Sequence, residues 1–112
     1  MDDLVKLFKA LADPTRVRIL QQLSRQVLCV GALAQRLGVT HSAVSQHLRI
    51  LREAGLVRGE KRGYWVHYSL DAGQIRAISE RVGKWFEGLF SAQAGGCKDT
   101  RRCPRTQPVK RR

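Results

Sequence analysis

The feature that most constrains this chain is a break of three residues, Gly38-Val39-Thr40, between two stretches of helical apolar spacing. Before it, Leu33, Ala34 and Leu37 share one face of a stretch that begins at Val30. After it, Val44, Leu48 and Leu51 fall at i, i+4 and i+7 between His41 and Ala54. Gly38 suits the end of the first helix, where a left-handed residue commonly closes the last turn. Thr40 suits the cap of the second, and Gly55 its end. Two short helices around so short a Gly-containing turn predict a helix-turn-helix.

The flanks extend this unit in both directions. Leu4, Leu7, Phe8 and Leu11 mark a first helix, from Leu4 to Ala12. Asp13-Pro14 restarts the chain as N-cap and first helical residue, since the missing proline N–H is unpaired there in any case. The second helix is expected to run to about Ser24, with Val17, Leu20 and Leu23 inward and Arg16, Arg18 and Gln22 outward. Cys29 takes the N-cap position of the third. Beyond Gly55, residues 56–60 and 64–70 read as strands, the second rich in β-branched and aromatic residues. Lys61-Arg62-Gly63 is expected at their hairpin tip, giving a basic wing.

Asp71 then caps a last helix reaching about Phe90. Ile75, Ile78, Val82, Trp85 and Leu89 recur at spacings of three and four, and Phe86 and Phe90 widen this seam. A terminal helix so apolar needs a partner, and the expected one is a second copy. The fold class is therefore α+β, mainly α: a winged helix-turn-helix of five helices plus a two-stranded β-wing, dimeric through its first and last helices. Residues 1–90 would form the DNA-binding and dimerisation domain. Residues 91–112 would form a flexible, basic, Cys-containing tail.

Charge points to the partner. Formal net charge is +12, divided equally between residues 1–97 and residues 98–112, so the folded part is itself basic and suited to a polyanion. No apolar run approaches a membrane span, and acidic Met1-Asp2-Asp3 does not open a signal peptide. A cytoplasmic location is the expectation. The three cysteines, Cys29, Cys97 and Cys103, are an odd number, which favours free thiols, soft-metal ligands or redox chemistry over a disulfide framework. No paired carboxylates, nucleophile–base pair or phosphate loop suggests an enzyme.

The helix from His41 to Ala54 offers His41, Ser42, Ser45, Gln46 and Arg49 opposite its apolar face, with Thr40 before it and Arg52 near its end. Short hydroxyls and an amide near a helix N-terminus reach base edges in a major groove, where Gln matches adenine N6/N7. Arg49 and Arg52 suit phosphate or guanine. The alternative is a merely solvated polar face, against which stands its scarcity of Glu and Lys. Lys61 and Arg62 would lie over the minor groove or its phosphates. Tyr64 and Trp65 could stack on sugar, but strand alternation assigns at least one of them to the core. His41, His47 and His67 fit no ligand spacing and are read as DNA-contacting or surface residues.

The segments LADPTRVRILQQL and VGALAQRLGVTHSAVSQHLRILREAGLVRGEKRGYWVHYSL, with the closing apolar helix, resemble the ArsR/SmtB family of winged-helix metal-responsive repressors over residues 4–90. The resemblance implies an obligate dimer, operator binding without inducer or any required cofactor, and release when inducer binds. It also defines what is missing. Asp71 is followed by Ala72-Gly73 and the last helix has no His, so the zinc-type site of the last helix is absent. Of the arsenic-type cysteines near the third helix only Cys29 survives. Cys97 and Cys103 resemble a C-terminal cysteine cluster of arsenic-sensing members, in which a cysteine pair stands where this chain has Gly96-Cys97.

As(III) and Sb(III) are thiophilic, and trivalent arsenic takes three sulfurs, or two plus a carbon substituent. Cys97, Cys103 and Cys29 would supply three, with Lys98, Arg101 and Arg102 favouring thiolates in the tail. Two alternatives stay open: a reversible Cys97–Cys103 disulfide that makes the repressor redox-responsive, or idle thiols with Cys29 a plain cap. A third reading, from a different class, is a constitutive protein that binds nucleic acid through charge alone.

Overall fold

A computed structural model describes residues 2–91. Five helices and a small antiparallel sheet follow in the order α1 (Asp2–Leu11), α2 (Pro14–Leu23), β1 (Leu28–Cys29), α3 (Val30–Leu37), α4 (His41–Glu53), β2 (Val57–Arg62), β3 (Trp65–Leu70) and α5 (Ala72–Ser91). The two-stranded wing is present, and β1 adds a third strand on its far edge, in the order β1-β3-β2. Leu28 pairs with Tyr68 and Cys29 with His67. Two residues between a loop and a helix carry too little pattern to announce a strand, so β1 was not foreseeable.

Local chemistry sets the helix ends. Asp13 accepts a bond from the Arg16 N–H at 3.0 Å, with Pro14 in the first turn of α2. Thr40 does the same for α4 through the Ala43 N–H at 3.1 Å, and Asp71 for α5 through the Gln74 N–H at 3.2 Å. Gly38 ends α3 with φ of 67°, a left-handed conformation that a side chain would strain.

The core lies beneath the helix-turn-helix. Ile19, Leu33, Val44, Leu48 and Leu51 are its largest fully enclosed side chains, joined by Leu7, Leu23, Leu28, Leu37, Leu56 and Val57. In α2 the inward face is carried by Ile19 and Leu23, with Leu20 half-buried; Val17, expected inward, is exposed. The helix is rotated by the demand of Ile19, a larger β-branched side chain two positions on, for the fully dry site.

Arg16 also departs from its expected surface role. Its Nε donates to the Ala10 carbonyl at 2.7 Å and its Nη2 to the Lys9 carbonyl at 3.0 Å. Both carbonyls end α1, where four acceptors lack helical partners. Its Nη1 lies 3.3 Å from His47 Nδ1, and Asp13 Oδ2 lies 3.9 Å from the same nitrogen. One guanidinium thus ties α1, α2 and α4 together.

The Asp13 carboxyl is held below its ordinary pKa, chiefly by the bond from the Arg16 backbone N–H, with help from the charges of His47 and Arg16. A carboxylate with a depressed folded-state pKa adds stability above its unfolded value, and that contribution is lost as pH falls through the folded value. Asp13→Asn, which keeps a capping oxygen, is expected to be less stable than wild type at neutral pH. The two should converge in acid, as thermal denaturation across the carboxylate titration range will show.

Candidate nucleic-acid interface

Three attachments fix α4 in place. Val44, Leu48 and Leu51 root its inner face, Thr40 holds its first turn, and His47 meets Arg16 at its flank. The side chains left outside are Thr40, His41, Ser42, Ser45, Gln46, Arg49 and Arg52, every one exposed. Ser42, Ser45, Gln46 and Arg49 fall at helical intervals of three and four, so they form one strip along the helix.

Arg49 is paired with Glu53 at 3.4 Å across one turn, and both ends are exposed. Such a pair contributes at most about 1 kcal/mol, so the guanidinium exchanges Glu53 for a phosphate or base at little cost. Arg62 stands in the same relation to Glu60, at 3.6 Å. His47 leaves the expected set of DNA-contacting or surface residues, because its contacts are to Asp13 and Arg16 within the protein. Its role was invisible in the sequence, since Arg16 is 31 positions away.

The wing differs from expectation at its tip. The first strand reaches further, so that Arg62 faces Trp65; the second begins at Trp65, one residue later than expected, and the turn is Gly63-Tyr64. Gly63 has φ of 63°, and no residue other than glycine has a positive φ among the described residues. A positive φ at the first turn position alone is the pattern of a two-residue hairpin loop led by glycine, whose twist matches the strands. Lys61 and Arg62 therefore lie on the strand just before the turn. Neither Tyr64 nor Trp65 enters the core: their relative exposures are 99% and 65%. Alternation has no inside to refer to this far out, because the residues of both strands next to the turn, Lys61, Arg62, Trp65 and Val66, are all exposed.

The cysteines divide. Cys29 is half-buried at the start of α3 and makes no capping bond with its side chain. Its sulfur and the His41 ring both approach Gly31, 4.0 Å and 3.4 Å from where a Cβ on that glycine would stand. Cys97, Cys103 and the expected flexible tail lie outside the described residues. Among the described residues, no group of three His, Cys, Asp or Glu side chains is arranged to hold a metal ion.

A helix-turn-helix with a hairpin behind it occurs in many proteins; the order and spacing of this one are matched by a known family. The model of the bacterial regulatory protein arsR family covers residues 13–58, from the cap of α2 into β2. The HTH-type transcriptional regulator CmtR of Mycobacterium tuberculosis is 49% identical over 80 residues, which are 70% of this chain and 68% of that protein. The chain belongs to the ArsR family. It is accordingly a transcriptional regulator of the ArsR/SmtB type rather than an enzyme.

A transcriptional repressor SmtB homolog of Synechocystis sp. is also 49% identical, over 79 residues. That match takes in 70% of the ArsR-family chain but only 60% of the relative's length. Among solved structures, the homodimeric winged helix-turn-helix DNA-binding domain Mb0332 of Mycobacterium bovis superposes with a TM-score of 0.63 at 25% identity. It covers 85% of this chain and 89% of its own. No helix among the described residues is long and apolar enough to cross a membrane.

Proposed function

We propose that this ArsR-family chain is a dimeric, cytoplasmic repressor that reads an operator through α4 and is released by a thiophilic inducer, As(III) or Sb(III). The observation that carries the DNA reading is the fully exposed strip of hydroxyls, amide and guanidinium on a helix rooted by three buried residues. In it Ser42, Ser45 and Gln46, with Thr40 and His41 at the helix start, approach base edges. Arg49, Arg52, Lys61 and Arg62 take phosphates or guanine.

Dimerisation is supported by α5. It contributes no buried residue to the protomer, although Ile75, Ile78 and Val82 pack half-buried on the core. Phe8 meets Trp85 in a tilted contact at 5.7 Å and Trp85 meets Phe86 edge to face at 5.0 Å, so an apolar aromatic contact joins α1 and α5. The relative Mb0332 is a homodimer, and an isologous pairing through these two helices would set two recognition helices on successive half-sites.

For the inducer, the support is the donor set. Cys29 keeps a thiol free of capping duty, and Cys97 and Cys103 would bring two more. Three thiolates match a soft trivalent ion better than a hard cation. The ion need only favour one dimer geometry over another by about 1–3 kcal/mol, a shift of ~5–150-fold in operator affinity.

Titration of the operator-bound complex with arsenite, antimonite, cadmium, zinc and peroxide tests this directly. Arsenite and antimonite are expected to release DNA, and Cys97→Ser with Cys103→Ser to abolish that release while leaving DNA binding intact. Unchanged arsenite response in the double variant would sink the thiolate site. Release by peroxide alone, with a Cys97–Cys103 bond in the mass spectrum, would replace it with redox sensing.

A further inference from the structure

The wing carries a second kind of chemistry besides charge. Its first strand leaves the core after Val57, which is 2% exposed, and β2 has no further buried residue up to Arg62, while Tyr68 of β3, opposite Gly59, is the last wing residue packed against the core. Five residues at about 3.4 Å each set the turn about 17 Å beyond Val57. At the far end stand Tyr64, almost wholly in solvent, and Trp65, about two-thirds exposed. Neither ring stacks on another aromatic side chain among the described residues. Two adjacent large aromatics held at the tip of a ribbon are costly in water and contribute nothing to the core.

Their neighbours say which partner fits. Lys61 and Arg62 immediately precede the turn, Arg58 lies further down the same strand, and Glu60 is the strand's lone acid, already engaged by Arg62. A cationic tip bearing two π-faces is poorly matched to an apolar protein surface. It matches a polyanion that offers flat, stackable rings and sugar faces between its charges. The turn geometry helps. Gly63 takes the one positive-φ position of the turn, so Tyr64 occupies the second loop position without backbone strain, almost wholly in solvent.

We propose that Tyr64 and Trp65 form an aromatic probe that stacks on deoxyribose and base edges in the minor groove beside the bases read by α4. This rests on the DNA interface proposed above and adds a contact to it. Lys61 and Arg62 bring the tip to the phosphates, and the aromatic pair then supplies attraction that does not depend on counterion release. Apolar wedges inserted into a minor groove pry at base steps, and flexible pyrimidine–purine steps yield most readily. The probe therefore makes affinity sensitive to sequence at positions the recognition helix does not reach.

The test uses the full chain and a duplex that it selects from a randomised library. Affinity and its salt dependence are measured for wild type, Tyr64→Ala, Trp65→Ala, Tyr64→Phe and Lys61→Ala. Each aromatic-to-alanine change is expected to weaken binding about tenfold with the salt slope unchanged. Tyr64→Phe, which keeps the ring, should bind within about twofold of wild type. Lys61→Ala should instead reduce the slope by about one.

Alanine variants that fold normally, by circular dichroism, and bind as wild type would overturn the aromatic probe while leaving the DNA interface standing. So would a change in oligomeric state as their main effect, which would make the tip a protein contact. If wild type itself selects no duplex, the underlying DNA reading has failed, and that failure is visible before any variant is made.

Discussion

Replacing Phe86 and Leu89 with aspartate is expected to leave a folded monomer that has lost its operator. Both side chains are about half exposed in the protomer, 47% and 52%, and neither belongs to its buried core. In a two-fold dimer the situation reverses. Each substitution appears twice, and each would place an unpaired carboxylate in an apolar contact, at a cost of several kcal/mol. Since 1.4 kcal/mol is tenfold, the dimer dissociation constant should rise by ~10³ or more. Operator affinity should fall with it, because one recognition helix holds only one half-site. Sedimentation and circular dichroism of the same sample separate this outcome from simple misfolding. A dimer that persists unchanged would place the interface elsewhere.

Leu51→Ala is expected to act by the opposite route. Leu51 is fully buried under α4, and truncating such a leucine costs about 3–4 kcal/mol through lost burial and the cavity left behind. Small domains have roughly 5–15 kcal/mol in total, so a large part of the stability would go. DNA binding would weaken because α4 loses its footing, although no group facing outward has changed. Gln46→Ala provides the contrast. Gln46 is exposed, its removal should leave stability within about 0.5 kcal/mol, and its effect should be on operator affinity alone. Chemical denaturation and DNA titration of both variants distinguish the two roles.

Which features were legible in the sequence follows from how local their causes are. Gly38, Thr40, Asp13-Pro14 and Asp71 each act within a turn of their own position, so the order of the five helices could be read directly. The periodicity of α4 and α5 is likewise a property of single helices. Errors arose where a distant partner decides. Val17 and Ile19 compete for one inward position, and the winner depends on what α3 and α4 present to α2. Arg16 was assigned to the surface because nothing near it reveals that the end of α1 and His47 converge there. At the wing, alternation suggested a buried aromatic, yet the outer end of the ribbon, Lys61 and Arg62 opposite Val66 and Trp65, is exposed on both faces.

The candidate site was legible in the same proportion. The polar strip on α4 follows from helix geometry, and its exposure was an expectation that the fold now supports. The inducer site was not legible in this way, because bringing thiols at positions 29, 97 and 103 together takes tertiary or dimeric contact.

The central claim is that α4 reads sequence rather than charge alone, and competition binding at ~150 mM salt tests it most directly. A fluorescent duplex selected by the full chain is challenged with unlabelled selected and scrambled duplexes of equal length. A preference of ~10³ or more for the selected duplex is expected. Ser45→Ala with Gln46→Ala should reduce that preference and leave affinity for scrambled DNA unchanged. Equal competition by the two duplexes would mean that α4 reads no sequence and leave a basic protein that binds any polyanion.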